Sequence, residues 1–517
     1  MPRLITLPAE VLHNIFIWLD PADLGSLPRV CRILNDYITG NWKLSQDVYL
    51  NHLDAPADAD VDWEKCLHDY VKLNRICARR YPKDKEKELP FVHNTVVQLL
   101  RHASSQGHTT DNSNTHCASK NADLLKRIFA DQSNRAAFME KSFLFDRVRS
   151  ERPVHFPTSV NEDHQRSAKL HCLYGSPILN VGRLRSTRTY PFACSIVYDL
   201  RLHTEESRWG PFQDDGSDRV DWEKVEAIMV VLGYNVQSKR FVSKLFSDIW
   251  SSPFSGSWPN SYMPSPKSDL SPLAASDPYG VTGTWYRIVC FLDYNDFFNY
   301  NFPMGDEFPL DLPRPGISVG EATRLIVLKL RVSHMEPPGP NDGQALPVVH
   351  YTGHSKLLDD TWDENANSEI RGTVRLTKEG EVRWTSVSIF HGEERWRSEA
   401  VQVGGLRSAR GVVGNWFDSD YDEHGPVGPT AFWKASDSEA PYGKITDILP
   451  SGFLAYSALV SVDESDPEGE MDYTAEDDEE EDDDLEIDYE MLRGELPALL
   501  LDAELDVLDT SPPADTS

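Results

Sequence analysis

Three prolines punctuate an apolar stripe near the start of this 517-residue chain, and no other stretch limits its fold so tightly. Leu7-Pro8-Ala9-Glu10 opens a helix. Pro8 suits the first helical position, where a missing N–H costs nothing, and Glu10 sits at the positive end of the macrodipole. Val11, Leu12, Ile15, Phe16 and Leu19 then recur at helical spacing and form one apolar face. Asp20 stands as an N-cap before Pro21, and Pro28 starts a short third helix through Val30, Cys31, Ile33 and Leu34. Three helices in about forty residues have too much surface for their volume to bury that face on themselves. Either the rest of the chain or a partner protein must cover it.

The order Leu7-Pro8-x-Glu10-x-Leu12-x-x-Ile15-Phe16-x-x-Leu19-Asp20-Pro21-x-Asp23-Leu24-x-x-Leu27-x-x-Val30-Cys31-Arg32, with Trp42 ahead, resembles an F-box. The resemblance covers under a tenth of the chain. It implies a three-helix unit that docks on Skp1, the adaptor of a cullin–RING ubiquitin ligase. It also implies a docking surface made of Leu7, Pro8, Leu12, Ile15, Phe16, Leu24 and Val30. Arg32-Ile33-Leu34 departs from the commoner Arg-x-Trp at the third helix. The bland competitor is an internal helical cap, against which stands the rule that exposed apolar patches mark partner sites.

Charge removes other classes. The chain carries 51 basic and 83 acidic side chains, a formal net charge of −32. Residues 463–517 account for most of that excess, with 24 acidic side chains and one Arg, leaving the remainder only mildly acidic. No basic stripe is present to track phosphates, so nucleic acid is not an expected partner. No apolar run approaches the roughly 18 residues of a membrane span, and the N-terminus shows no signal peptide. Seven irregularly spaced cysteines do not make a disulfide framework. The expectation is an intracellular chain, cytoplasmic or nuclear or both. The acidic tail is expected to be disordered, because so dense a charge block repels itself.

The expected architecture is α+β and multidomain. Residues 1–50 form the F-box unit, 51–140 a helical linker, 165–462 a β-rich barrel-like domain and 463–517 the tail. Trp63, Cys66, Leu67, Tyr70, Leu73 and Cys77 predict a helix over 62–80, and Val92–Arg101 and Asp123–Ala130 predict two more, with the polar stretch 104–120 between them as a loop. From about 165 strands are expected at Leu170–Tyr174, Tyr190–Leu200, Gly283–Tyr294, Ala322–Val332, Pro347–Thr352, Ile370–Thr377, Glu381–Phe390, Glu399–Val403, Ala409–Asp418 and Thr430–Ala435, with one helix at Asp221–Gly233. Lys378-Glu379-Gly380 between two alternating runs is a hairpin signal. Many short strands with Gly and Pro turns argue for a barrel. Gly283-Thr284-Trp285-Tyr286-Arg287 and Ser408-Ala409-Arg410-Gly411-x-x-Gly414-x-Trp416-Phe417-Asp418 resemble the β-rich C-terminal domain of fungal F-box proteins, which implies a substrate receptor.

No catalytic constellation assembles from the sequence. Asp418-x-Asp420-x-Asp422 imitates the start of a calcium loop, but Glu423 stands where that loop needs Gly and Pro429 where it needs a bidentate Glu. His350 and His354 are four apart on an expected strand and read as ordinary histidines, so neither cofactor nor metal is expected. Cys31, Cys194 and Cys290 sit in apolar patterns and read as inert thiols. Tryptophans of the β-rich region belong to the core by default, except Trp396, which lies among charges and fits a rim. Trp396, Arg410, Asp420 and His424 are the candidate peptide-reading residues. The expected role is a non-catalytic substrate-recognition subunit of an SCF-type ligase. The alternatives are a β-barrel that binds a small molecule or metal, and a Skp1 partner that works without a cullin.

Overall fold

Side-chain caps start several of the helices, among them those that begin at Pro21, Trp42, Trp63 and Lys120. The computed structural model describes residues 4, 7–56, 61–105, 119–181, 188–238, 250, 252–263, 270–303, 308–357, 367–422 and 424–437. Helix α1 (Ala9–Phe16) starts one residue later than expected, because Pro8 occupies the N-cap itself. Before α2 (Pro21–Leu24) the Asp20 side chain accepts the Ala22 N–H at 2.8 Å, the expected cap with Pro at the first position. Helix α3 (Arg32–Ile38) leads to α4 (Trp42–His52), capped by Asn41, and then to α5 (Trp63–Cys77), capped by Asp62. The expected helices recur as α6 (Leu89–Arg101) and α7 (Lys120–Ala130).

Helix then continues beyond the expected boundary. After α8 (Gln132–Phe138) and α9 (Phe143–Arg149) come α10 (Glu162–Tyr174), α11 (Tyr190–Val197) and α12 (Trp222–Ser238). The strands expected at Leu170–Tyr174 and Tyr190–Leu200 are therefore helical, and the first barrel strand begins only at Gly283. The physical reason is the same in both. A short apolar run fits a buried helix and a buried strand equally well, and Pro191 just inside α11 is a helix-start signal that outweighs its β-branched tail. Leu170–Tyr174 is only the buried end of a helix whose first half is polar.

The remaining eight expected strands are all present: β1 (Gly283–Phe291), β2 (Ala322–Glu336), β3 (Val348–Leu357), β4 (Ser368–Leu376), β5 (Val382–Phe390), β6 (Glu393–Gln402), β7 (Val412–Asp418) and β8 (Val427–Ser436). Each pairs antiparallel with its neighbour in sequence, and β8 returns to β1, closing an up-and-down barrel. The β4–β5 turn is the expected hairpin. The Gly380 N–H donates to the Thr377 carbonyl at 2.9 Å, and Gly380 adopts φ +84°, which a side chain would resist. Closure leaves no open edge among the eight barrel strands.

Inward residues fill the barrel. Trp285, Trp384 and Phe432 meet edge to face with ring centres 5.2–5.7 Å apart, and Leu328, Leu330, Val374 and Val412 pack around them. The outer face of β7, β8 and β1 is also apolar. Val413, Phe417, Ala431, Trp433 and Ile288 share one core with α11, α12 and the N-terminal helices. Polar struts reinforce that joint. Glu321, buried at the head of β2, accepts hydrogen bonds from Tyr190 and from Asn235, each at 2.7 Å, and from Tyr198. Among the described residues no helix is long and apolar enough to cross a membrane. The acidic tail, Trp362 and most of the polar stretch 104–120 lie outside the described residues.

Candidate functional site

The N-terminal helices have two apolar faces. Leu12, Phe16 and Leu24 are buried in the common core with Leu34, Leu44 and Val48. Phe16 meets Tyr37 edge to face at 5.8 Å, and the Tyr37 hydroxyl donates to the Ala9 carbonyl at 3.0 Å. His13 and Asp47, 2.9 Å apart, tie α1 to α4, and Asn51 donates to the Ile17 carbonyl at 2.7 Å. Covering for that face thus comes from the chain itself. Beside it, α1 carries Val11 and Ile15 one turn apart on one side, and Trp18 follows in the turn just after the helix. All are exposed, Trp18 to 76%, and so are Val30 at 70%, Ile33 and Trp42.

A family profile described as F-box-like matches residues 4–51, which are these helices. The chain carries an F-box-like domain. No curated protein and no solved structure matches the chain. Within the F-box, the seven residues assigned to docking separate into two groups. Pro8, Ile15 and Val30 are exposed and Leu7 is half-buried, whereas Leu12, Phe16 and Leu24 hold the domain together from inside. That is a correction to the expected docking surface, since a side chain in the core has no face to offer a partner. Leu4, Val11, Trp18, Ile33 and Trp42 are large apolar residues of this region that are exposed and were not assigned. In Arg32-Ile33-Leu34, Leu34 is buried and Ile33 is exposed. The signal available in the sequence was the width of the α1 stripe, which wraps more of the helix than one interface needs.

A second site lies where the β7–β8 turn meets the segment after α11. A cavity of about 340 Å³ is lined by the rings of Trp209, Phe417 and Tyr421 and by the carboxylates of Glu205, Asp418 and Asp422. Trp209 and Tyr421 lie 4.2 Å apart between ring centres. Arg208 and Trp209 (φ +55° and +53°) and Tyr421 (+59°) all sit in the left-handed region, a strain that non-glycine residues bear at sites where geometry matters. Trp209 is held by its N–H to the Thr204 carbonyl at 3.0 Å. Burial raises the Asp418 carboxyl above its ordinary range, and the nearby charges of Asp420 and Asp422 push it the same way. Three rings beside three carboxylates can attract a cationic group, and the Arg397 guanidinium already stands over the Tyr421 ring, 5.1 Å from its centre.

The four candidate peptide-reading residues fare differently. Asp420 and His424 are exposed on the turn at the cavity rim, where the Asp420 N–H donates to Asp418 Oδ1 at 2.7 Å and the His424 ring lies 4.7 Å from Phe302. Trp396, half-buried, meets Trp416 edge to face at 5.2 Å and pairs across the sheet with Asp418. Arg410 does not belong with them. It is buried, donating to Ser257 Oγ at 2.8 Å and to the carbonyls of Ser252 and Tyr174 at 3.1 and 3.3 Å, and it fastens loops rather than meeting a ligand. Trp209 and Phe417, which build the cavity, lie far apart in sequence, and only the fold brings them together.

Cys194 and Cys290 are buried, and Cys31 is half-buried. Burial holds the Cys194 thiol well above its usual range, and Glu321 beside it adds to the effect, which makes it a poor nucleophile. His350 does have a histidine beside it, but that neighbour is His334 across the β2–β3 ladder, not His354 along the strand.

Proposed function

We propose that this chain is the substrate-recognition subunit of an SCF-type ubiquitin ligase. Its F-box docks on Skp1 through the outward face of α1 and the residues around Val30 and Ile33, and the barrel presents a captured protein. The observation that carries this reading is the exposed row Val11, Ile15 and Trp18 on a domain whose own core is already complete. Large apolar side chains left in water after the core is filled mark a partner surface. The chain itself is not an enzyme. Thioester-to-lysine transfer belongs to the other subunits, and this one raises the local concentration of target lysines near them.

The target site is the cavity at Trp209 and Asp418, and its lining favours a lysine or arginine side chain from a protein segment. The rival reading, a barrel carrying a small molecule, is weakened by the Trp285–Trp384–Phe432 cluster that occupies the barrel centre. Both steps take place in the cytoplasm or the nucleus, where the partner subunits work. Mixing the full chain with Skp1, cullin and RING subunits tests the proposal. One co-eluting assembly on size exclusion supports it. A chain that binds Skp1 but leaves the cullin behind would move the reading to a cullin-independent role, and a chain that elutes alone would overturn it.

A further inference from the structure

Strand β2 carries one residue more than β3 opposite it. Val332 pairs with Tyr351 and His334 with His350, so Ser333 is an unpaired bulge residue. The bulge changes which way the strand faces. Val332 is buried in the barrel, and strict alternation would turn His334 and Glu336 inward after it. With Ser333 inserted, His334 and Glu336 stand exposed on the outer face, while Met335 packs on the barrel core. On β3, His350 comes to the same outer face between buried Val349 and Tyr351.

The outcome is a compact donor set. The two imidazole rings are parallel within 11°, with centres 4.0 Å apart. His350 Nε2 lies 2.9 Å from Glu336 Oε1, and one ligand atom from each of the three residues falls within 4.8 Å of the others. Exposed side chains need only small rotations to bring these atoms to the ~2.0–2.2 Å that a zinc-class ion requires. Two imidazoles and one carboxylate suit such ions rather than calcium or magnesium, which prefer an all-oxygen shell. Arg375 also reaches Glu336 with its charge, and Asp342, 3.6 Å from Arg375, offsets it.

We propose that His334, Glu336 and His350 bind a divalent transition-metal ion of the zinc class on the outside of the barrel, with coordination positions left open for water or a partner's side chain. The ion clamps the ends of β2 and β3 that flank residues 337–347. This site is separate from the F-box face and the Trp209 cavity, and its fate does not depend on either.

Cobalt(II) is the probe, titrated into the full chain and followed by visible absorption. Carboxylate-only sites on the acidic tail hold the ion six-coordinate and absorb weakly. The expected result is one equivalent of an intense, low-coordinate spectrum that zinc(II) displaces. His334→Ala and His350→Ala should each abolish it, and Glu336→Gln should weaken binding about 10-fold or more. His334 and Glu336 are exposed and His350 is half-buried on the outer face, so an unchanged far-ultraviolet circular dichroism spectrum should accompany each loss. Absence of that spectrum in the natural chain, or its survival in both histidine variants, would overturn the proposal.

Discussion

The guanidinium of Arg410 fills the space that a side chain on Gly175 would need: a Cβ at Gly175 would stand 2.4 Å from Arg410 Cζ. Gly175 ends α10 at φ +71°, and Arg410 reaches it from the β6–β7 connection. Burial lowers the Arg410 pKa to about 9, so the strut is held at some cost. Gly175→Ala combines a left-handed non-glycine with a displaced buried cation. It should lower stability by about 3 kcal/mol or more, read as a lower urea midpoint. A loss under about 1 kcal/mol would mean Arg410 is not the strut described here.

Leu12 and Phe16 are core residues of the F-box, so replacing both with Ala should act on the fold. Large-to-small changes at buried sites cost about 2–5 kcal/mol each, enough to melt so small a domain locally. Limited proteolysis should cut near residues 9–52 in the double variant and not in Trp18→Ala, whose exposed side chain carries under about 0.5 kcal/mol of stability. Equal protection in both would contradict the two-faced F-box.

Burial raises the Glu321 carboxyl above its ordinary 4.5, against the lowering effect of hydrogen bonds from Tyr198, Tyr190 and Asn235. The folded state therefore keeps a proton that the unfolded state releases above pH 4.5. In that window, stability falls as pH rises and levels off once the folded carboxyl has ionised. Glu321→Gln removes the titration, so denaturation measured across the window should show a flatter pH profile. An unchanged slope would contradict the assignment.

At the Trp209 cavity, capture of a basic side chain relies on rings and carboxylates together. Trp209→Ala and Asp418→Asn should each weaken binding of lysine- or arginine-containing peptides by about 10-fold, in line with a partly desolvated cation–π contact. Raising the salt should weaken the natural chain more than Asp418→Asn. Binding of acidic or neutral peptides with equal strength would refute the cationic ligand.

Sequence reasoning reached furthest where one physical signal dominated. Glycine turns bracketed the eight barrel strands, and alternation with period two marked those with one wet face, whereas β1, β7 and β8 are largely buried on both faces. Asp20 caps α2 as its place before Pro21 implied. Tyr190–Val197 went astray because a continuous apolar run carries no period at all. Arg410 looked like a loop residue with binding chemistry, since nothing local reveals that Gly175, Ser252 and Ser257 will close over it. The α1 stripe announced burial but not that its two edges would face different worlds. The pairing of His334 with His350 depends on a one-residue bulge, which alternation alone places on the wrong side.

Calorimetric titration of Skp1 into the full chain compares the natural sequence with Trp18→Ala and Ile15→Asp. Both substitutions lie on the outward face and leave the core of the F-box untouched. Docking through the outward face requires a stoichiometric complex for the natural chain and an affinity loss of at least about 30-fold in each variant, the scale of an interface hot spot, with thermal unfolding unchanged. Full affinity in both variants, or no Skp1 binding by the natural chain, would contradict it.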